Sequence, residues 1–257
     1  MKDILAQAQR EVLAQLAWSN VLLGFDYDGT LAPIVTDPAR AKLGLRTRRL
    51  LAELARSYPC VVISGRALGD IRPKLAGVEL RGIIGNHGLE PLSATDKLAS
   101  TVRRWRTELA LHLDGVAGVQ IEDKLYSLAI HFRRSRQRRL ARAAIARALD
   151  QLGPVRIIGG KCVVNVVPLG APHKGIALER ERERLGCDTA FFLGDDVTDE
   201  DVFALDQPGR LLTVRVGNSR VSHASYYLRS RNDVDELLRR FIDLRRADVA
   251  RSPRFAQ

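Results

Sequence analysis

Four short groups of residues carry side chains that could move a phosphoryl group. The first is Asp26-Tyr27-Asp28-Gly29-Thr30-Leu31, directly after the apolar run NVLLGF at 20–25. Two carboxylates this close repel each other unless something positive keeps both ionised. A divalent cation with oxygen ligands, such as Mg²⁺, answers that need. The spacing also divides the labour, with Asp26 able to attack phosphorus and Asp28 able to protonate the leaving oxygen and later activate water. The second group is Ser64-Gly65-Arg66, after CVVI at 60–63, where a hydroxyl and backbone N–H groups at a strand-to-helix turn make a phosphate cradle. The third is Lys174 in PHKG at 172–175, an ammonium that can neutralise the nucleophile and the phosphoryl oxygens. The fourth is GDDVTDED at 194–201, following AFFL at 190–193. There Asp195, nearest the strand end, is the best metal ligand, while Asp199 to Asp201 suit a helix N-terminus.

Taken singly, each group has a plainer reading: an Asp-Gly turn, a helix cap, a solvated lysine, an acidic helix start. Together, in this order, they supply nucleophile, acid/base, cradle, cation and metal site.

Open α/β sheets place such sites beyond the carboxyl ends of their strands. Short apolar runs at 20–25, 60–63, 82–84, 190–193 and 211–216 predict buried strands, and amphipathic stretches at 3–17, 46–57, 67–75, 173–185, 199–206 and 232–246 predict helices. The class is α/β, a Rossmann-like parallel sheet covered by helices. The middle of the chain differs, because 116–122 and 126–132 alternate apolar with polar residues, as strands with one wet face do. That segment predicts helix 96–113, two strands, helix 134–152, then strands at 155–158 and 162–167. Pro91 opens it, and Pro168, Gly170 and Pro172 close it. The expected organisation is a core in two parts, 1–90 and 171–257, with a smaller α/β cap inserted at 91–170. Residues 252–257 read as a loose tail.

A length of 257 residues at 46% hydrophobic allows a sizeable core and excludes a disordered chain. No apolar run reaches membrane-spanning length, and the opening MKDILAQAQREVLAQLA lacks the pattern of a secretion signal. Cys60, Cys162 and Cys187 form no CxxC pair, so reduced thiols and a cytoplasmic location are expected. The net charge of +11 attracts anions. Aromatic residues are only 5%, however, so the arginine-rich run at 133–147 reads as a solvated helix face, and neither nucleic acid nor membrane is expected as a partner.

The four groups in this order resemble the haloacid dehalogenase superfamily of phosphohydrolases, and the inserted segment resembles that superfamily's larger (C2) cap. The finer resemblance is to trehalose-6-phosphate phosphatases, through DYDGTLAPI at 26–34, SGR at 64–66, GNHGLE at 85–90, EDKLYSLAIHFR at 122–133 and FLGDDVTDEDVF at 192–203. It implies Mg²⁺ held by Asp26, the backbone carbonyl of Asp28, and Asp195. It also implies Ser64, Gly65 and Arg66 at the substrate phosphate, Asn86, His87 and Glu90 near the sugar, and Glu122, Lys124, Arg133 and Lys161 on the sugar-facing surface of the cap.

One departure stands out. Where the family carries G-K-x-V-x-E, this chain reads Gly160-Lys161-Cys162-Val163-Val164-Asn165. Asn165 can donate and accept hydrogen bonds but lacks a carboxylate's charge, which bears on the sugar and not on the reaction. The expected partner is a small sugar phosphate, trehalose 6-phosphate first, with functional coupling to a trehalose-phosphate synthase. The alternatives are a phosphatase for sucrose phosphate or mannosyl-3-phosphoglycerate, and a noncatalytic sugar-phosphate-binding partner of such a synthase.

Overall fold

Residues 1–91, 96–160, 162–205 and 207–251 are described by a computed structural model of the chain. The tail at 252–257 and Lys161 lie outside the described residues. The chain starts with a two-residue strand β1 (Lys2–Asp3) and helix α1 (Arg10–Trp18). Strand β2 (Val21–Phe25), helix α2 (Leu45–Ser57), β3 (Cys60–Ile63), α3 (Leu68–Lys74) and β4 (Gly82–Ile84) follow. An insert then runs α4 (Asp96–Leu113), β5 (Gln120–Asp123), β6 (Leu128–His131), α5 (Arg138–Leu149), β7 (Val155–Gly160) and β8 (Val163–Pro168). The chain returns through α6 (Lys174–Arg184), β9 (Thr189–Gly194), α7 (Glu200–Phe203), β10 (Leu211–Val216), β11 (Tyr226–Leu228) and α8 (Val234–Arg251).

The main sheet is parallel, in the order β1-β11-β10-β9-β2-β3-β4. Parallel strands covered on both faces read as continuous apolar runs, and every residue of β2 is buried. Alternate residues serve opposite layers. Leu23, Phe25, Phe191 and Leu193 face the core shared with α1, α2 and α8, whereas Leu22, Ala190 and Phe192 pack with Ala177 and Leu178 of α6. The insert carries its own antiparallel sheet, β5-β6-β8-β7. One face packs Leu128, Ile130 and Val166 against Val102, Trp105 and Leu109 of α4 and Ile145 of α5, which leaves the other face for the site.

The structure differs from the expected elements at the edges. The helix expected at 3–17 is shorter, because Lys2–Asp3 adds to the free edge of β11, Ile4 N bonds Tyr227 O at 3.1 Å, and a 3₁₀ turn occupies Gln7–Gln9. β11 itself carried no clear pattern, being two half-buried tyrosines and the buried Leu228 between polar neighbours. The strand expected at 116–122 starts at Gln120, since Val116 and Val119 lie in a turn closed by Val119 N on Val116 O. The helix expected at 134–152 spans only Arg138–Leu149.

The sheet centre sets the stability of this frame. Phe191 is fully buried and meets Phe241 edge to face at 5.2 Å. Phe191→Ala should cost about 3–5 kcal/mol, read as a lower urea midpoint with an unchanged slope. A loss below about 1 kcal/mol would mean that the two layers do not meet there.

Candidate active site

Three strands that are adjacent in the main sheet deliver the chemistry. Their order β9-β2-β3 sets the residues just past their carboxyl ends side by side: Asp195 after β9, Asp26 after β2 and Ser64 after β3. Asp26 N bonds Leu193 O at 2.8 Å, which ties the turn after β2 to the end of β9. Helix α6 then lies close against β2, because Gly24 has no side chain. A Cβ there would come within 2.8 Å of Leu178 Cδ1 and 2.9 Å of the Phe192 ring. That approach brings Lys174, the first residue of α6, to the strand ends.

Lys174 is the centre of the site. Its ammonium donates to Asp26 Oδ1 at 2.6 Å and to Asp199 Oδ1 at 2.7 Å, with 1% of the residue exposed. Burial works against its charge, yet Asp199 and Asp26 outweigh that, so its pKa is held above the usual lysine range. Asp199 uses its other oxygen, Oδ2, to accept from Asp195 N and Asp196 N, each at 2.9 Å. Asp195 Oδ1 accepts from Thr30 Oγ1 at 3.0 Å. The loop can approach this closely only because Gly29 (φ +91°) has no Cβ, which would lie 2.1 Å from Asp195 Oδ2.

Carboxylate oxygens of Asp26, Asp195 and Asp199 lie within 4.8 Å of one another. Burial, then the neighbouring Asp199, push the Asp195 carboxyl up to about 7. Burial likewise raises Asp26, with Asp199 and Asp195 adding to the effect and Lys174 opposing it. Three carboxylates and one ammonium leave two negative charges uncompensated, which suits one divalent cation. Among the described residues, Asp26 Oδ2 and Asp195 Oδ2 have no hydrogen-bond donor, whereas both oxygens of Asp199 do. The residues therefore fit Mg²⁺ between Asp26 and Asp195, with Asp199 orienting Lys174.

Asp28 stands apart from this cluster. Both of its oxygens are held by Arg66, Nε to Oδ2 at 2.6 Å and Nη2 to Oδ1 at 2.7 Å, and Arg66 Nη1 also reaches Asp70 Oδ2 at 2.6 Å. Ser64 is fully buried, and its Oγ accepts from Arg66 N at 3.2 Å. Gly65 contributes its carbonyl, which accepts from Lys124 Nζ at 3.0 Å. Asn86 and His87 both adopt left-handed backbone conformations, φ +53° and +59°, which are costly for residues other than glycine. The His87 ring packs on Gly65, is 6% exposed, and has no partner on either nitrogen among the described residues. Burial, and then the positive charges of Lys124, Lys174 and Arg156, hold it well below the usual histidine range.

The insert closes over this edge of the sheet. Asn86 Nδ2 donates to Lys124 O, and Ser127 Oγ bonds Asn86 Oδ1. Burial lowers the pKa of Lys124. Across the insert's sheet, Glu122, Ala129, Asn165 and Ile158 stand in one row. Glu122 and Asn165 therefore share the face turned away from α4 and α5, two strands or about 10 Å apart, with only a methyl between them. Glu122 Oε2 pairs with His131 Nε2 at 2.7 Å, and that bond lowers the Glu122 pKa. Asn165 is largely buried as a residue, and its amide makes no hydrogen bond among the described residues.

Glu90 Oε2 accepts from Leu68 N at 2.6 Å, bracing the start of α3, and Arg133 is exposed just beyond the end of β6. Thr30, Asp70, Ser127 and the Arg156–Asp201 ion pair between β7 and α7 take part without having been singled out from the sequence. Thr30 lies inside DYDGT and Asp201 inside GDDVTDED, so motif context could have found both. Nothing local marks Asp70, Ser127 or Arg156.

The raised Asp195 carboxyl has a definite sign. Unfolded, an aspartate titrates near 3.9; folded, this one titrates at about 7. The native state binds the extra proton between those values, so without a cation its stability falls as pH rises through that window. A divalent cation held by this carboxylate would replace the proton. Millimolar Mg²⁺ should raise the melting temperature by about 4 °C or more at pH 8 and by less than half as much at pH 5, read by calorimetry, and Asp195→Ala should abolish the gain. An equal gain at both pH values would contradict the assignment.

Comparison with known proteins agrees with this geometry. The sequence profile described as Trehalose_PPase, trehalose-phosphatase, matches residues 24–232. A trehalose-phosphate phosphatase of Mycolicibacterium paratuberculosis is 34% identical over 73% of this chain, which spans 52% of that protein. A probable trehalose-phosphate phosphatase of Oryza sativa subsp. japonica is 27% identical over 94% of this chain and 71% of its own length. The C-terminal domain of the C. albicans trehalose-6-phosphate phosphatase shares the fold, with a TM-score of 0.77 at 24% identity over 91% of this chain and 96% of that one. A parallel sheet that sets Asp26, Asp195 and Lys174 together, and a profile match running from β2 to the start of α8, place this chain in the trehalose-phosphatase family of phosphoric monoester hydrolases.

Proposed function

We propose that this protein hydrolyses trehalose 6-phosphate to trehalose and phosphate through an aspartyl-phosphate formed on Asp26. The observation that carries the reading is the buried Asp26–Lys174–Asp199 network beside Asp195. A divalent cation, Mg²⁺ by preference, held by Asp26, Asp195 and the backbone carbonyl of Asp28, supplies charge neutralisation at the phosphoryl oxygens. Lys174 donates to Asp26 Oδ1, which orients the carboxylate and keeps it ionised for attack on phosphorus. Ser64 and the turn at Gly65 and Arg66 receive the phosphate. Arg66 has competing claims, since it holds both oxygens of Asp28. An incoming phosphate that draws the guanidinium away frees Asp28 to take up a proton from solvent, give it to the leaving sugar oxygen, and then accept one from the water that attacks the aspartyl-phosphate.

The insert, bounded at 91–170, serves as a cap. Lys124, Asn86 and Ser127 latch it to the core, and its closure excludes water from the aspartyl-phosphate. Glu122 and Asn165, one row on the sheet face turned away from α4 and α5, accept and donate to sugar hydroxyls. The unpartnered amide of Asn165 supports a second reading, a phosphatase for a different sugar phosphate such as sucrose phosphate.

Phosphate release from trehalose 6-phosphate beside sucrose 6-phosphate, with and without Mg²⁺, separates the two. Trehalose 6-phosphate should give the highest kcat/KM, and chelation should abolish turnover. Asp26→Asn should lower kcat by roughly 10³-fold or more, while Glu122→Ala should mainly raise KM, by roughly tenfold. Substantial turnover by Asp26→Asn would sink the mechanism, and preference for sucrose 6-phosphate would sink the choice of sugar.

A further inference from the structure

A cavity of about 670 Å³ lies where α5 and the β7–β8 hairpin meet the core, and the reaction leaves it without a role. Arg138, Arg139 and Arg142 line it, with Gly160 of the hairpin and with Asp196 and Val197 of the core. Neither the acidic cluster nor Lys174, Glu122, Lys124 or Asn165 does. Its size falls in the range that holds a small ligand.

The charges in its wall are out of balance. From Phe132 to Leu149 the chain has seven arginines and no Asp or Glu. Arg138, Arg139 and Arg142 are exposed and have no carboxylate partner among the described residues; Arg138 Nη2 makes only a long bond, 3.5 Å, to Arg133 O. Helix stability does not explain this placement. Positive charge in a first helical turn opposes the helix dipole, and like charges four residues apart repel. Arg138 and Arg139 occupy the first turn of α5, and Arg138 and Arg142 are four apart. Packing does not explain it either, because α5 buries Ala141, Ile145, Ala148 and Leu149 on another face. Local choices that conflict with local stability, without a compensating contact, mark functional positions.

Among the described residues that line it, three guanidinium groups against the single carboxylate of Asp196 leave a surplus of two positive charges in a concave site, where the field is focused. Guanidinium groups grip phosphate in paired hydrogen bonds. We propose that this cavity is a second anion site, separate from the catalytic one, for a small phosphorylated metabolite carrying at least two negative charges. The sequence alone read these arginines as a solvated face; the cavity gives them a common target. Because α5 belongs to the insert and Asp196 and Val197 to the core, an occupant touches both.

The test uses the whole chain and inorganic pyrophosphate as probe, with binding followed by titration calorimetry in chelator, so that no divalent cation recruits the probe to the acidic cluster. The double variant Arg139→Ala/Arg142→Ala should lose at least tenfold in affinity, while its kcat/KM toward sugar phosphate stays within twofold. Arg147→Ala, which removes the same charge farther along α5 beside His112 and Gln151, should bind pyrophosphate within twofold of the parent. Unchanged affinity in the double variant would overturn the site. An equal loss in Arg147→Ala would reduce it to diffuse attraction by a basic surface.

Discussion

The Lys174 ammonium, buried between Asp26 and Asp199, is the contact on which the site is built. Taking an ammonium and a carboxylate out of water costs several kcal/mol per ion, and removing one partner of such a pair is more costly than never having it. The geometry must therefore be held from several directions. Asp199 does so by also accepting two backbone N–H groups at the end of β9, so one carboxylate fixes the lysine and the strand end together. Helix α6 does so by lying close to β2 over Gly24, which leaves its first residue no other direction in which to reach. One ammonium against three carboxylates is also an incomplete balance, and this deficit is what makes the cluster fit a divalent cation.

The two sheets contribute different things. The parallel sheet converges strand ends and supplies charged groups whose positions are fixed by buried apolar layers on both sides. The antiparallel sheet of the insert buries only one face and presents Glu122 and Asn165 in register on the other. Contact between them combines a small apolar cluster, Leu89 and Ala171 with Ile158 and Val167, with polar links from Lys124 to Gly65, Asn86 to Lys124 and Ser127, and Arg156 to Asp201. The polar links can break and re-form at little net cost. His87 sits beneath them with both ring nitrogens without a partner among the described residues, a state that is tolerable in a site that takes a polar ligand.

Much of this was legible in the residues. Strand ends were marked by apolar runs that stop at Asp26, Ser64 and Asp195, because a strand covered on both faces must be apolar throughout and its polar successor must leave the sheet. The middle segment was recognisable from its alternation of period two. What escaped had no local signal: β1 and β11 are two and three residues long and exist by pairing at an edge. Asp70 and Ser127 matter only through the partners that folding brings them, Arg66 and Asn86. Motif reasoning gave Asp28 and Arg66 separate duties, to acid/base chemistry and to the phosphate. The structure shows the two side chains locked together, a relation between residues 38 apart that spacing could not announce.

The central claim is that Asp26 and Asp195 share one hard cation beside Lys174. Crystals grown with Mn²⁺ in place of Mg²⁺, and measured for anomalous scattering, test it directly. A single strong peak within coordination distance of one oxygen from each carboxylate, with Lys174 still bonded to Asp26 and Asp199, is the expected result. A peak bound to Asp199 and not to Asp26, or no peak in this crevice at saturating Mn²⁺, would contradict it.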